Sequence, residues 1–364
     1  MTRSFRLRRL APSVLAVVLL ASACGSSSTN SSSSSGGAPT TARETKLAAA
    51  TLNGSGSTFQ QAFIEAAVAD FAKRRPEVTI NYGGGGSGKG QTDLQSRLVE
   101  FAGSDAIPKP ETLPAFKGGA LLYFPTVAAP ITVTYNLPGV VKLHLSAATI
   151  AEIFQRSVKK WDDAAIKADN PGAKLPGTDI VVVHRADASG TTANFTKYLT
   201  MAAPNEWKLG TDKTVAWPSD TRAGTGNAGV ASAVKSTDGA VGYVDYSDAK
   251  AAGLTFASVE NAAGSYIEPS LESASAALAG TTVAADLGYN PLNAAGAKAY
   301  PITSPTWILV YKTQTDHAKG AALEAFLAFV LGAGQDLAAG VDYAKLPEAI
   351  RSQAVAQLDQ IQVP

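Results

Sequence analysis

Residues Ile180 to Leu199 read IVVVHRADASGTTANFTKYL. Ile180 to Val183 form a short β-branched run of the kind that makes a buried strand. A polar turn follows, from Arg185 to Gly190, and Ala193 to Leu199 returns to a helical pattern. Strand, polar turn and helix in succession are the unit of an α/β protein. An Arg at the end of the strand is planar and permanently charged, suited to gripping an oxyanion through two parallel hydrogen bonds. Ser189, Gly190 and Thr191 would then place hydroxyls and N–H groups at the helix start, facing the same point. A capped helix with a surface Arg185–Asp187 pair could be written in the same letters.

The same alternation continues outward. Phe59, Phe63, Ala67 and Phe71 recur every four residues and predict an amphipathic helix; Val78, Ile80 and Tyr82 alternate and predict a strand. Leu94, Leu98 and Phe101 predict a second helix, and Tyr123 to Thr134 an extended segment. Helices are expected at Ile150 to Phe154 and Ala321 to Leu331, with strands at Val241 to Tyr246 and Ile308 to Tyr311. No repeat of fixed period is present.

Three more glycine-rich polar segments lie beside predicted strands or helices. Gly54-Ser55-Gly56-Ser57-Thr58-Phe59 precedes the first helix, where Ser57 or Thr58 can cap it and its N–H groups can accept an anion. Gly83 to Gly86, then Ser87-Gly88-Lys89-Gly90, follow the Val78–Tyr82 strand, and the glycines let the backbone approach a ligand closely. Gly83, Gly88 and Lys89 nearly match a nucleotide-binding P-loop, but Gly90 stands where Ser or Thr must hold Mg²⁺. Gly103-Ser104-Asp105-Ala106 follows the second predicted helix, and alone it reads as a turn.

At 364 residues the chain can bury two sizeable cores, and 45% hydrophobic with 17% charged residues is a globular composition. Arg3, Arg6, Arg8 and Arg9 precede an apolar run, Val14 to Ala21, far too short to span a bilayer, so residues 1–23 read as a signal peptide. Without those arginines the formal charge of +1 becomes −3, and no basic stripe interleaved with aromatics remains to bind nucleic acid. Cys24 is the single cysteine, so no disulfide within the chain is possible. Leu20-Ala21-Ser22-Ala23-Cys24 resembles a bacterial lipobox, with Ala21 where Leu is preferred; Ala21-Ser22-Ala23 would also serve an ordinary signal peptidase. Gly25 to Pro39 is Ser/Gly-rich and reads as a flexible tether reaching on the order of 20 Å.

Taken in order, the four segments resemble the periplasmic phosphate-binding proteins of high-affinity phosphate transporters. The likeness runs from about Leu52 to the end, through Lys160-Trp161-Asp162-Asp163, Asn170-Pro171-Gly172, Leu175-Pro176, Gly242 to Tyr246 and Tyr300 to Ser304. It implies a two-lobed α/β periplasmic-binding-protein fold, type II-like, with the ligand in a cleft between hinged lobes. The tether would cover residues 24–50, the first lobe 52–128 plus 299–364, and the second 129–298. It further implies phosphate contacts from Thr58, Phe59 (chiefly its N–H), Ser87, Asp105, Arg185, Ser189, Gly190 and Thr191, with Asp187 bracing Arg185. Lys89 is this chain's departure from the family's glycine loop. A monomer without cofactor or metal is implied, working with the permease and ATPase subunits of an ABC importer. Its lipid anchor at Cys24 would hold it on the outer face of the cytoplasmic membrane; free secretion or a periplasmic location is the alternative.

Other functions are weaker on the same residues. His144, His184 and His317 are scattered, and no H-E-x-x-H or G-x-S-x-G motif exists to support a secreted phosphatase. A receptor for another tetrahedral oxyanion, sulfate or arsenate, and a sensory or adhesive surface protein are the remaining alternatives. Asp105 separates phosphate from sulfate: a carboxylate accepts a hydrogen bond from a ligand that still carries a proton and repels one that does not.

Overall fold

Ala50 to Gly56, a segment with little apolar content, is a strand in the computed structural model, which describes residues 47–364. It is held extended by parallel pairing on both sides, with residues 78–83 and 101–103, and Gly54 has no side chain because one would collide with the Phe101 ring. In chain order the strands are β1 (Ala50–Gly56), β2 (Val78–Gly83), β3 (Phe101–Ser104), β4 (Leu121–Asn136), β5 (His144–Leu145) and β6 (Val181–Arg185). β7 (Arg222–Gly224), β8 (Ala240–Asp245), β9 (Thr255–Phe256), β10 (Ser258–Glu260), β11 (Tyr266–Ile267) and β12 (Thr303–Tyr311) follow. The helices used below are α1 (Gln61–Arg74), α2 (Ser87–Gln95), α3 (Ala147–Phe154), α4 (Ala164–Asp169), α5 (Gly190–Ala202) and α6 (Gly226–Lys235).

One sheet runs in the order β2-β1-β3-β12-β4-β8-β6-β7, with β9 also on β4; β5, β10 and β11 form a small second sheet. β4 is the shared strand. Its residues up to Pro130 pair with β12, and Ile131 to Asn136 pair with β8. β1, β2 and β3 are parallel, as are β6, β7 and β8, but β8 runs antiparallel to β4. The carboxyl ends of the two strand sets therefore meet over the middle of β4. Ser104 ends β3 opposite Trp307, itself opposite Pro125, while Asp245 ends β8 opposite Ile131. Ligands of open α/β sheets bind outside strand carboxyl ends, and here two such sets face each other.

Each half has its own helical cover. Phe71 of α1 and Phe101 of β3 both pack on Phe326 of the helix His317–Leu331. In the other half, Phe195 of α5 stacks on Tyr243 of β8 at 4.5 Å between ring centres, with Phe154 of α3 edge-on to Phe195.

Three sequence expectations shift. The first helix begins at Gln61, so Phe59 precedes it and Gln60 is its N-cap, without a side-chain capping bond. The second spans Ser87 to Gln95: Arg97 has a φ of 56°, Leu98 is 69% exposed and Phe101 opens β3. Spacing alone linked residues on either side of a chain reversal. Consequently Asp105 follows a strand, not a helix, and the last four residues of the glycine loop, from Ser87, lie inside α2. The expected signal peptide, Cys24 and the expected Gly25–Pro39 tether lie outside the described residues.

Candidate anion-binding site

Four chain reversals converge where the strand ends meet. Asp105, just past β3, is buried at 2% exposure. Its Oδ1 accepts hydrogen bonds from Ser57 Oγ (2.5 Å) and Thr306 Oγ1 (2.6 Å), and its Oδ2 accepts one from Ser87 Oγ (3.2 Å). Oδ1 is thus saturated, while Oδ2 retains room for one more donor.

Opposite it, Arg185 ends β6 at 4% exposure. Its Nε donates to Asp187 Oδ1 at 2.9 Å and its Nη2 to Asp187 Oδ2, so Asp187 occupies one edge of the guanidinium. Nη1 lies 3.4 Å from Thr191 Oγ1, on the other edge. That second edge is the one left for two parallel bonds to an oxyanion. Tyr243 fixes the Arg185 backbone: its hydroxyl accepts the Arg185 N–H at 3.0 Å and lies 2.7 Å from Thr192 Oγ1.

Ser189 is the N-cap of α5; its Oγ accepts the Thr192 N–H at 3.1 Å, leaving its hydrogen free to donate. Gly190 and Thr191 open the helix, where N–H groups have no intrahelical partner. Gly190 is buried against the opposite wall, and a methyl group there would collide with Ser87 Oγ. Thr58 Oγ1 accepts from Asn227 N and Nδ2, at 3.3 and 3.2 Å, and also keeps its hydrogen. The Phe59 N–H donates to Ser57 Oγ at 3.0 Å, so this expected ligand donor already has a local acceptor.

The two walls are joined by direct bonds. Asn194 Nδ2 donates to the Asp105 carbonyl at 2.6 Å, the Gly88 N–H donates to the Ala188 carbonyl at 2.8 Å, and Lys109 pairs with Asp212 at 2.8 Å. Lys89 is not among these bridges. It pairs with Asp93 on its own helix, with its side chain half exposed. His184 is turned away, stacked on Trp217 at 5.0 Å, and is no base for Ser189.

The profile of the PBP superfamily domain matches residues 35–333. The phosphate-binding protein PstS of Haemophilus influenzae is 36% identical over 320 residues, covering 85% of this chain and 94% of its own. That of Methanocaldococcus jannaschii is 38% identical over 325 residues, 81% of this chain and 82% of its own. This chain belongs to that family. A solved high-affinity periplasmic phosphate-binding protein, with phosphate bound at pH 8.5, has the same fold, with a TM-score of 0.70 and 23% identity. It is covered to 93%, against 84% of this chain. The phosphate-binding protein of Stenotrophomonas maltophilia aligns over the same shares with a TM-score of 0.65 and 23% identity.

Sequence reasoning missed several members of the site. Ser57 reads only as a cap, and Thr306 and Asn227 draw no attention at all. Asn227 carried a usable signal: Gly224-Thr225-Gly226-Asn227 is a fifth glycine-rich turn between a strand and a helix. Its Nδ2 links Thr58 to Thr191, both at 3.2 Å, and so ties the two walls together.

The electrostatics follow from burial. Burial pushes the Asp105 carboxyl up to about 6, against the pull of the Ser57, Thr306 and Ser87 hydroxyls and the Arg185 charge. Burial also pushes Asp187 up, but Arg185 and the Gly226 N–H outweigh it and hold the group below its ordinary value. With its carboxyl raised, Asp105 binds its proton more tightly in the folded than in the unfolded chain. Its contribution therefore favours folding below about pH 4 and is lost as pH rises through about 6. In phosphate-free buffer the protein should gain on the order of 3 kcal/mol from this group between pH 7 and 4. Melting temperatures of wild type and Asp105→Asn across that range isolate this term: the mutant should lack it, and parallel curves would refute the assignment.

Proposed function

We propose that this protein is a receptor that captures inorganic phosphate and delivers it to the permease and ATPase subunits of an ABC importer. The observation that carries this reading is the facing pair in one buried site: a guanidinium edge on Arg185 and a carboxylate oxygen on Asp105. A phosphate oxygen anion suits the first and a phosphate P–OH suits the second. Thr58, Ser189 and the N–H groups of Gly190 and Thr191 supply donors for the remaining oxygens, and the Ser87 hydroxyl joins them by turning its single hydrogen from Asp105 Oδ2 to the ligand. The names of the relatives agree with this ligand.

The reading is of a binder, not a catalyst. What supports it is that the relatives are named as binding proteins. Capture proceeds by closure, with the first lobe built from residues 52–128 and 299–364, the second from 129–298, and the change of partner along β4 as the hinge. Phosphate completes its bonds only when both walls meet, so it stabilises the closed state by differential contacts. The receptor works outside the cytoplasm as a monomer, anchored through lipid on Cys24; Cys24→Ala should move it from the membrane fraction into the medium.

Calorimetric titration with phosphate, arsenate and sulfate tests the reading. Phosphate and arsenate should bind one to one and sulfate far more weakly. Sulfate binding as tight as phosphate would overturn it.

A further inference from the structure

Beside the anion site, on the Asp105 side, lies a cavity of about 580 Å³, within the range of small-molecule sites. Its floor is apolar: Ile107, Pro305 and Trp307 come from the first-lobe half of the sheet and its loops, and Tyr289, from the second-lobe residues, packs against Trp307. Trp307 and Tyr289 are both buried and meet edge-to-face, 5.3 Å between ring centres. The opposite wall is α5 and the loop after it, carrying Ala193, Lys197, Thr211 and Lys213. A single phosphate ion with its oxygens satisfied at Arg185 and Asp105 has no use for an aromatic floor.

Three lysines and one aspartate line this cavity besides Asp105. Lys109 is paired with Asp212, and Lys213 donates to Gln91 Oε1. Among the described residues Lys197 has neither an ion-pair nor a hydrogen-bond partner. The rim thus has an excess of positive charge over an apolar, partly aromatic floor, the complement of an organic anion with an aromatic body.

We propose that this cavity is a second binding site, for a small arene carrying one carboxylate or sulfonate, and that its occupancy is coupled to phosphate. The arene lies on Ile107, Trp307 and Tyr289 while its anionic group meets Lys197. Coupling arises because Ile107, Pro305 and Trp307 lie on the first-lobe side of the cleft and Ala193, Lys197 and Thr211 on the second: a ligand touching both favours the closed arrangement that phosphate also favours. Such coupling is reciprocal, so each ligand raises the affinity of the other by the same factor. The coupling rests on the closure reading above; the site itself does not.

The probe is 1-anilinonaphthalene-8-sulfonate, followed by fluorescence with the full-length protein, first without phosphate and then at saturating phosphate. Saturable one-to-one binding that tightens about tenfold with phosphate is expected, as is a matching tightening of phosphate when the probe is present. Lys197→Glu, and Thr211→Trp to fill the space, should each weaken the probe at least tenfold while leaving phosphate affinity without probe unchanged. No saturable binding, or binding indifferent to both variants, overturns the site. Probe binding that appears only after residues 1–46 are removed overturns it equally, since the chain itself would then be the occupant. Probe binding that ignores phosphate overturns the coupling alone. Failure of phosphate itself to bind would instead remove the proposed function.

Discussion

Arg185→Ala is expected to weaken phosphate binding by about 30-fold to about 5,000-fold, the equivalent of the 2–5 kcal/mol that truncating one partner of a buried, hydrogen-bonded charge pair costs. The guanidinium is almost wholly buried, and one of its edges is already held by Asp187. It therefore reaches the ligand as a fixed fork whose ordering cost has been met in the folded protein. Lys89→Ala is the control. That lysine also lies near the cleft, but its charge is paired with Asp93 and half exposed, so phosphate affinity should stay within about threefold. Calorimetric titration of both variants checks this, with melting in phosphate-free buffer to confirm that each is folded. Equal losses would place the anion somewhere other than Arg185.

A larger effect is expected in discrimination. Phosphate keeps a proton near neutral pH and sulfate does not, and sites built around a ligand hydrogen reject the analogue lacking it by roughly 10⁴–10⁵-fold. The hydrogen bonds indicate which oxygen does this. Ser57 and Thr306 both donate to Asp105 Oδ1, so Oδ2 is the acceptor turned to the ligand. In Asp105→Asn the same two hydroxyls hold the amide oxygen at the Oδ1 position, which puts the NH₂ where Oδ2 was. A donor then faces the ligand, and sulfate should gain on phosphate by at least two orders of magnitude. Wild-type selectivity should also fall on acidification through about pH 6, where Asp105 takes up a proton. Competition of sulfate against labelled phosphate at fixed ionic strength measures both. An unchanged ratio in the mutant would take Asp105 out of the selectivity mechanism.

The fold class and much of the candidate site were legible because they are written locally. Ile180 to Leu199 contains its strand, turn and helix start within twenty consecutive residues, and each part has its own signal. β1 was illegible because its extended form depends on pairing with β2 and β3, whose Phe101 lies 47 positions beyond its partner Gly54, rather than on its own apolar content. The supposed helix through Leu98 failed for the complementary reason: the spacing was right, but Arg97 reverses the chain. Thr306 and Asn227 join the site from 201 and 169 positions beyond the residues they touch, Asp105 and Thr58. Separations of that size put the pairing beyond the reach of local pattern.

The position of β12 bears on how the protein is made. This strand belongs to the last quarter of the chain, yet it lies between β3 and β4 in the sheet. Until Tyr311 has emerged, the first three strands have no hydrogen-bonded connection to the rest of the sheet. A nascent chain therefore carries two incomplete sheets with bare inner edges, and long-range pairing of this kind is intrinsically slow. Slow closure makes the interval before β12 arrives the period in which the chain most needs protection from aggregation.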